Sequence, residues 1–543
     1  MEILTAAEMA AVDRRSVELG VPVATLMENA GRCVAEFCLR RYPGVRWATV
    51  LCGKGNNGGD GFVAARVLAR EKVMVRVVLL GQAHEVKGEA ADALRRMRDE
   101  APSAILDEVM EEAALRELWD VLDNTELFVD AVVGTGFKPP LRGLAAVARE
   151  LIAGMDVPVV AVDLPSGWDA DSMEQRAEGA YRADAVVTFT RPKRAHVFGH
   201  LTGRTFGPVV VAEIGSPAEA VDPTHPDEAG MNGAPRLRWA GAAKAIAEPP
   251  REVNANKGKY GHVLVVGGSY GTAGAPAMAS LAALRAGAGL VTAAVPKSTV
   301  ELVAGVTPEL MLAPLLEGVD GVVSLANLDG FERLMQKISV VAVGPGLSTK
   351  GEASEFAREL VAKAGAVKGG RPIVIDADAL NAFAGRAELL NGAGRVMVLT
   401  PHPGEMARLA GMTIAEVEAD RIGLARRFAM EHSLTLVLKG WRTLVAHPDG
   451  RVAVNTTGNP AMAKGGSGDI LTGIVAAMLA QFPDDVARAV EAAVYLHGLA
   501  GDFAARAMDE HTVLATDTVA HLSDAFRYRV KDEDGLTWIC GVR

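Results

Sequence analysis

The chain has 543 residues, 49% apolar and 23% charged, a composition of soluble globular proteins that leaves no room for long disordered stretches. At about 150 residues per domain it is too long for one hydrophobic core, and two large units fit best. Acidic residues outnumber basic ones by 67 to 56, for a net charge of -11, and no basic stripe with interleaved aromatics occurs; this argues against a nucleic-acid partner.

Four cysteines, Cys33, Cys38, Cys52 and Cys540, include no Cys-x-x-Cys pair and are too few for a disulfide scaffold, so a reducing cytoplasm is expected. The opening Met1-Glu2-Ile3-Leu4-Thr5 has neither a basic nor an apolar leader region. Residues 263 to 284 carry no charge, but Gly267, Gly268, Gly271, Gly274 and Pro276 interrupt them. They read as strand, glycine turn and buried helix, and no membrane partner is expected.

Thr5 and Glu8 have capping-box spacing and predict a first helix that ends near Gly20; a second runs to about Tyr42. Apolar runs then alternate with helical patterns at Ala48 to Leu51, Val73 to Leu80, Leu127 to Val133, Val157 to Val162 and Ala185 to Phe189. Such runs imply a parallel sheet covered on both faces. The pattern breaks between Pro217 and about Arg251, where Asp222-Pro223 and His225-Pro226-Asp227 mark a linker. A second series follows at Val263 to Val266, Leu290 to Val295, Val340 to Val343, Pro372 to Ile375, Val396 to Leu399 and Leu434 to Leu438. The fold class is therefore α/β, with one layered domain over 1–217, a linker over 218–250 and a second layered domain over 251–530.

In the first half, Gly53-Lys54-Gly55-Asn56-Asn57-Gly58 has the spacing of a dinucleotide loop. The next strand ends Leu79-Leu80-Gly81-Gln82 without the acid that would hold a ribose, so a standard NAD-binding mode is not expected. Two further strand ends bring polar groups to the same sheet edge: Asp130 with Gly134-Thr135-Gly136, and Asp163-Leu164-Pro165-Ser166-Gly167. Oxygens of Asn57, Asp130 and Ser166 would suit a hard cation, and Asp163 could carry a proton. Taken singly, each could equally be a turn residue satisfying its own backbone.

Asn56-Asn57-Gly58-Gly59-Asp60-Gly61, Val129 to Gly136 and Val162 to Gly167 resemble the signature of the NAD(P)H-hydrate epimerase domain, also called the YjeF amino-terminal domain. The resemblance covers residues 1 to about 217. It implies a Rossmann-like three-layer α/β/α fold, with Asn56, Asn57, Gly58, Gly59 and Asp60 and the segment Gly134, Thr135, Gly136, Phe137, Lys138, Pro139 and Pro140 holding the hydrated nicotinamide nucleotide. It further implies that Asn57, Asp130 and Ser166 bind potassium, and that Asp163 contacts the substrate as acid/base. Ala195-His196 stands where a Gly-His pair is common in the family, and Glu213 opens a segment usually led by Asp.

In the second half, Asn459-Pro460-Ala461-Met462-Ala463-Lys464-Gly465-Gly466-Ser467-Gly468-Asp469 precedes a long apolar helix. Glycines at a helix N-terminus make an anion hole, and Asp469 beside it could be a base for a substrate hydroxyl; alternatively Asp469 is an ordinary N-cap. No G-x-x-x-x-G-K-[ST] loop occurs. Gly267-Gly268-Ser269, Gly344-Pro345-Gly346, Asp376 to Asn381, Thr400 to Glu405 and Leu438-Lys439-Gly440 each follow an apolar run and should converge on one cleft. His402, alone, could be a loop histidine held between two prolines.

These motifs, from about Lys257 to Leu522, resemble the ADP/ATP-dependent NAD(P)H-hydrate dehydratase domain, a relative of ribokinase-like sugar and vitamin kinases. The resemblance implies a ribokinase-like three-layer α/β/α fold in which Ala275, Gly346, His402 and Asp469 face the hydrated nicotinamide. It also implies that Lys439, Gly440, Trp441, Arg442 and Thr443, with Asn459, Lys464, Gly465, Gly466, Ser467 and Gly468, hold the adenine nucleotide. The expected cofactors are ADP rather than ATP, Mg2+ and K+; the expected substrates are hydrated NADH and NADPH, handled by a cytoplasmic homo-oligomer. Two alternatives stay open: a true small-molecule kinase in the second domain, and a non-catalytic YjeF-type binding module in the first. Asp534 to Arg543 has no assignable role.

Overall fold

The computed structural model describes residues 1–203, 206–221, 236–318, 320–367 and 369–543. The capping box at the amino terminus is formed: Thr5 Oγ1 accepts from Glu8 N at 3.2 Å, and the Glu8 carboxylate accepts from Thr5 N at 2.7 Å. It starts α1 (Ala6–Glu18), which is followed by α2 (Val23–Arg41). By its contacts the chain divides into one unit of Met1–Ala234 with Arg529–Arg543, and a second of Pro235–Tyr528.

The first unit is built on β1 (Trp47–Cys52), β2 (Met74–Leu80), β3 (Ile105–Val109), β4 (Leu127–Ala131), β5 (Val159–Val162), β6 (Ala185–Phe189) and β7 (Val209–Ala212). Their spatial order is β7-β6-β5-β4-β1-β2-β3, and every neighbouring pair among them is parallel. β4, β5, β6 and β7 are buried at every position, as a sheet covered on both faces requires. Because β1, β4 and β5 run in one direction, Gly53, Asp130 and Asp163 arrive at one edge of the sheet. There α3 (Asn56–Arg70) begins.

The carboxyl terminus gains a role that its sequence did not disclose. Thr537–Cys540 is a strand antiparallel to β7, with Trp538 opposite Val210, and it covers what would otherwise be an open sheet edge. The indole of Trp538 donates to Asp532 at 2.9 Å.

In the second unit the strands are β8 (Leu237–Trp239), β9 (His262–Val266), β10 (Leu290–Pro296), β11 (Met311–Leu315), β12 (Val340–Val343), β13 (Ile373–Ile375), β14 (Met397–Leu399), β15 (Thr435–Leu438), β16 (Leu444–Ala446) and β17 (Val452–Val454). Their order is β8-β17-β16-β15-β14-β13-β12-β9-β10-β11. The run from β15 to β11 is parallel, whereas β16 is antiparallel to both its neighbours. Part of the stretch read as a linker is folded: β8 pairs with β17, Trp239 donates to Thr456 Oγ1 at 2.8 Å, and Ala240–Ala247 is a 3-10 helix. Residues 222–235, which carry the Asp-Pro and His-Pro-Asp signals, lie outside the described residues.

Four helices of this unit bear on its site: α4 (Gly274–Arg285), α5 (Pro403–Ala410), α6 (Ser467–Gln481) and α7 (Val486–Ala507). Residues Ile470 to Ala480 of α6 are all buried. Close packing of α6 on α4 depends on Gly473, where a Cβ would stand 2.0 Å from the Ala279 carbonyl oxygen.

Candidate active sites

At the sheet edge of the first unit a cavity of about 990 Å³ is lined by Asn56, Asn57, Asp60, Gly134 to Phe137, Asp163 and Lys193, with Met9 and Asp13 of α1 as part of its wall. Asp163 has a left-handed φ of 64°, uncommon for a residue with a side chain and a mark of strain that clusters at functional sites. Its carboxylate is buried and fully engaged. Oδ1 accepts from Lys193 Nζ and Thr188 Oγ1, each at 2.8 Å; Oδ2 accepts from Thr135 N at 3.2 Å and from the Thr135 hydroxyl.

Burial alone would raise the pKa of Asp163, but Lys193 and these donors hold it far below the usual carboxylate range. His196 is fixed between the two: Nδ1 accepts from Lys193 N at 2.9 Å and Nε2 lies 2.6 Å from the Asp163 carbonyl oxygen. Burial, then Lys193, lowers its pKa to about 4, so the ring is neutral. Asp60, by contrast, is pushed well up by burial and by the charges of Asp163 and Asp13. One cavity thus brings together the low-pKa carboxylate of Asp163, the Lys193 side chain bonded to it and the Asp60 carboxyl, whose pKa is raised. Lys193 escaped the sequence reading, since Arg191-Pro192-Lys193 looks like a surface turn; the available signal was its position after β6, on the edge that β4 and β5 also reach.

Of the expected cation ligands, Asp130 and Ser166 are in direct contact. Ser166 Oγ donates to Asp130 Oδ1 at 2.5 Å, Ser166 N donates to Oδ2 at 2.7 Å, and the Val133 carbonyl lies 3.2 Å from Ser166 Oγ. Asn57 lies beside the next residue of that loop, its amide oxygen 2.8 Å from where a Gly134 Cβ would be and its amide nitrogen buried without an acceptor. Asp130 is completely buried and has no cationic side chain paired with it among the described residues. Burial pushes its carboxyl up to about 6. Lys138, in the expected substrate segment, is tied by ion pairs to Asp169 at 2.8 Å and Asp171 at 3.2 Å.

In the second unit Asp469 is not the N-cap. Gly466, with a φ of 97°, caps α6, and Ser467, Gly468 and Asp469 form its first turn. The half-buried Asp469 carboxyl is pushed up to about 6, first by burial and then by the charge of Asp376, with Lys439 opposing. Asp376, quoted in a motif but given no role from sequence, is the hub of the site: Oδ1 accepts from Lys439 Nζ at 3.0 Å and Oδ2 from Thr472 Oγ1 at 2.7 Å. Gly468 lies over this pair, since a Cβ there would stand 3.3 Å from Lys439 Nζ. Burial works against the charge on Lys439, but Asp376 and Glu405 raise its pKa above the ordinary value.

His402 caps α5, its Nδ1 accepting from Gly404 N at 3.0 Å and Glu405 N at 3.3 Å, while about half of its side chain stays exposed. It is therefore both a structural cap and an open ring. Ala275 and Gly346 meet at 3.1 Å, measured to a Cβ placed on the glycine. Trp441 is 41% exposed and carries the Arg442 guanidinium 4.3 Å from its ring centre; Thr443 Oγ1 donates to Gly440 O at 3.2 Å. Lys464 points its ammonium at backbone, donating to His511 O at 2.7 Å and Val513 O at 2.5 Å.

The model of a family described as YjeF-related protein N-terminus matches residues 23–195, and that of a family described as NAD(P)H-hydrate dehydratase matches residues 263–525. A bifunctional NAD(P)H-hydrate repair enzyme of Moorella thermoacetica is 41% identical over 97% of this chain and 97% of its own. The chain belongs to the bifunctional NAD(P)H-hydrate repair enzyme family. The Escherichia coli member is 33% identical and aligns over 95% of this chain and 92% of its own length. Among solved structures, an ADP/ATP-dependent NAD(P)H-hydrate dehydratase from Bacillus subtilis co-crystallized with ATP/Mg2+ is 31% identical, with a TM-score of 0.47, covering 55% of this chain and 99% of its own. Family likeness over both halves favours the two-activity reading over the kinase and binding-module alternatives. α1, which walls the first cavity, precedes the matched residues.

Proposed function

We propose that the first unit interconverts the R and S forms of hydrated NADH and NADPH, and that the second dehydrates the S form using ADP, giving AMP and phosphate. The single observation that carries the dehydration step is a carboxyl raised to about 6 at the start of a glycine-capped helix, beside an ammonium held by Asp376. Asp469 accepts the proton of the C6 hydroxyl while that oxygen attacks the terminal phosphoryl group. The resulting phosphate ester eliminates and the nicotinamide ring is restored. N–H groups of Gly468 and Asp469 in the first turn of α6, with Lys439 beneath Gly468, stabilise the charge of the transferring group. Ala275, Gly346 and His402 line the nicotinamide side.

The exposed face of Trp441 is a stacking surface for adenine. Trp441→Ala should raise the KM for ADP by about 10-fold, within the range of base–aromatic stacking, with little change in kcat; steady-state titration with ADP checks it. Magnesium would arrive on the phosphates, since it binds through one or two carboxylates and keeps several waters; Asp376 and Asp378, whose charges both reach Asp469, are the carboxylates at hand.

In the first unit, Asp163 works as a pair with Lys193: the carboxylate orients the ammonium, and the pair exchanges a proton with the substrate while Asn56 to Asp60 and Gly134 to Pro140 hold the nucleotide. Potassium would be held by Asp130, Ser166 and the Val133 carbonyl, since a buried carboxylate without a cationic partner is a place where a bound cation can offset the charge; Asn57, beside Gly134, is the further oxygen ligand. The setting proposed is the cytoplasm; among the described residues no helix is long and apolar enough to cross a membrane. The assembly proposed is a homo-oligomer.

The pH dependence follows from Asp469. A base must be ionised, so dehydration should rise with pH through about 6 and level off above it. Asp376→Asn removes the neighbouring charge that raises this pKa, so the acid limb should move to lower pH even as the rate falls; pH profiles of kcat/KM for the two proteins test this. The overall reaction is tested by product balance with the S hydrate and ADP: one phosphate and one AMP should form for each restored NAD(P)H. Accumulation of a stable phosphorylated product would make the second unit a kinase instead.

A further inference from the structure

Helix α7 lies directly under the segment that leads into the glycine loop, and its near face is made for close approach. A Cβ on Gly498 would stand 2.3 Å from Thr457 Oγ1, and one on Gly501 2.3 Å from Met462 Sδ. Thr457 Oγ1 also donates to the Tyr495 carbonyl of the helix at 2.9 Å. Between these contacts Asp502 reaches up: its carboxylate accepts Gly458 N at 3.1 Å to each oxygen and Asn459 Nδ2 at 2.9 Å. Asn459 in turn accepts Ala461 N at 3.0 Å and so caps the turn Pro460–Met462 that feeds Gly465 to Gly468.

We propose that Asp502 is a positioning residue of the nucleotide site, which fixes the Asn459 amide and through it the height and angle of the glycine loop. The proposal rests on reading Asn459 to Gly468 as the nucleotide-binding segment. A structural carboxylate at this place would be costly: Asp502 is buried, and burial pushes its carboxyl up to about 7 against the bonds from Asn459 and Gly458. A group so disfavoured, spent entirely on one loop, is accounted for by the placement of that loop. The face Tyr495, Gly498, Gly501 and Asp502 has the helical spacing that keeps all four under the same segment.

The test uses the full chain and a double-mutant cycle on the KM for ADP, with Asp502→Asn, Asn459→Ala and the pair. Asparagine keeps the shape of Asp502 but turns a donor toward Asn459. Loss of a hydrogen bond to a charged group corresponds to about 10- to 100-fold, and the KM for ADP should rise by that much in Asp502→Asn while kcat at saturating ADP changes less than about 3-fold. Epimerisation should be unaffected. If Asp502 acts through Asn459, the double variant should be no worse than the poorer single variant. Additive effects, a lost kcat with unchanged KM, or an unfolded Asp502→Asn protein would overturn the proposal. An unchanged KM in Asn459→Ala would instead overturn the nucleotide reading of the segment.

Discussion

Asp469→Asn is expected to cost dehydration of the S hydrate about 10²- to 10⁴-fold in kcat, the usual worth of a positioned general base, and to leave epimerisation intact. Asparagine preserves size and helix position in the first turn of α6 but cannot take a proton. The KM for ADP should move little, because the glycine loop and Trp441 are untouched. The variant should also lose the acid limb near pH 6, since the group responsible is gone. Folding should not suffer. A carboxyl raised above its unfolded value favours the folded state only when protonated, below about pH 4, and destabilises it as pH rises through the folded pKa; removing it should make the protein slightly more stable at neutral pH. Restored absorbance with the S hydrate measures the first effect, and thermal unfolding at pH 7 measures the last.

Lys193→Met is expected to remove epimerisation to a similar extent, about 10²- to 10⁴-fold, while dehydration of the pure S form continues. Methionine fills the buried volume without the charge. Asp163 would then lose the partner that offsets its burial, so its carboxyl should rise in pKa and His196 should lose the positive neighbour that helps hold it low. A carboxylate held low in the folded state contributes stability that is present at neutral pH and lost as pH falls through its folded value. The variant should therefore be less stable than the parent at neutral pH, with the gap narrowing in acid. Loss of an ion-pair partner at a buried site typically costs a few kcal/mol, so the epimerase rate is to be measured below the unfolding transition. Retained interconversion of the R and S hydrates would show that Asp163 works without Lys193.

Much of this was readable in the sequence, for physical reasons that differ from place to place. The strands at 159–162 and 340–343 are unbroken apolar runs, and buried parallel strands demand such runs. The terminal strand Thr537–Cys540 is short, follows Asp534-Gly535 and pairs with a strand more than three hundred residues earlier; nothing local announces such a partner. Strands β16 and β17, three residues each on either side of Asp449-Gly450, are absent from the sequence reading. Motif residues proposed to meet the ligands stand out by their glycines, whereas the groups that hold them do not. Lys193 and Asp502 sit in a turn and a helix of ordinary composition, and only the fold brings them to Asp163 and Asn459. Asp469 was read as a possible N-cap, yet the positive φ of Gly466 shifts the helix start upstream and moves the carboxyl into the first turn.

The account depends on two sites acting in succession on one substrate pool. The most direct measurement starts from the purified R hydrate of NADH, incubated with the full chain, ADP, Mg2+ and K+, and follows restoration of nicotinamide absorbance. The account predicts full restoration by the parent protein. It predicts accumulation of the S form without restoration in Asp469→Asn, and persistence of the R form in Lys193→Met. Restoration from the R form by Lys193→Met at the parent rate would contradict it, as would failure of the parent protein to use the R form while it consumes the S form.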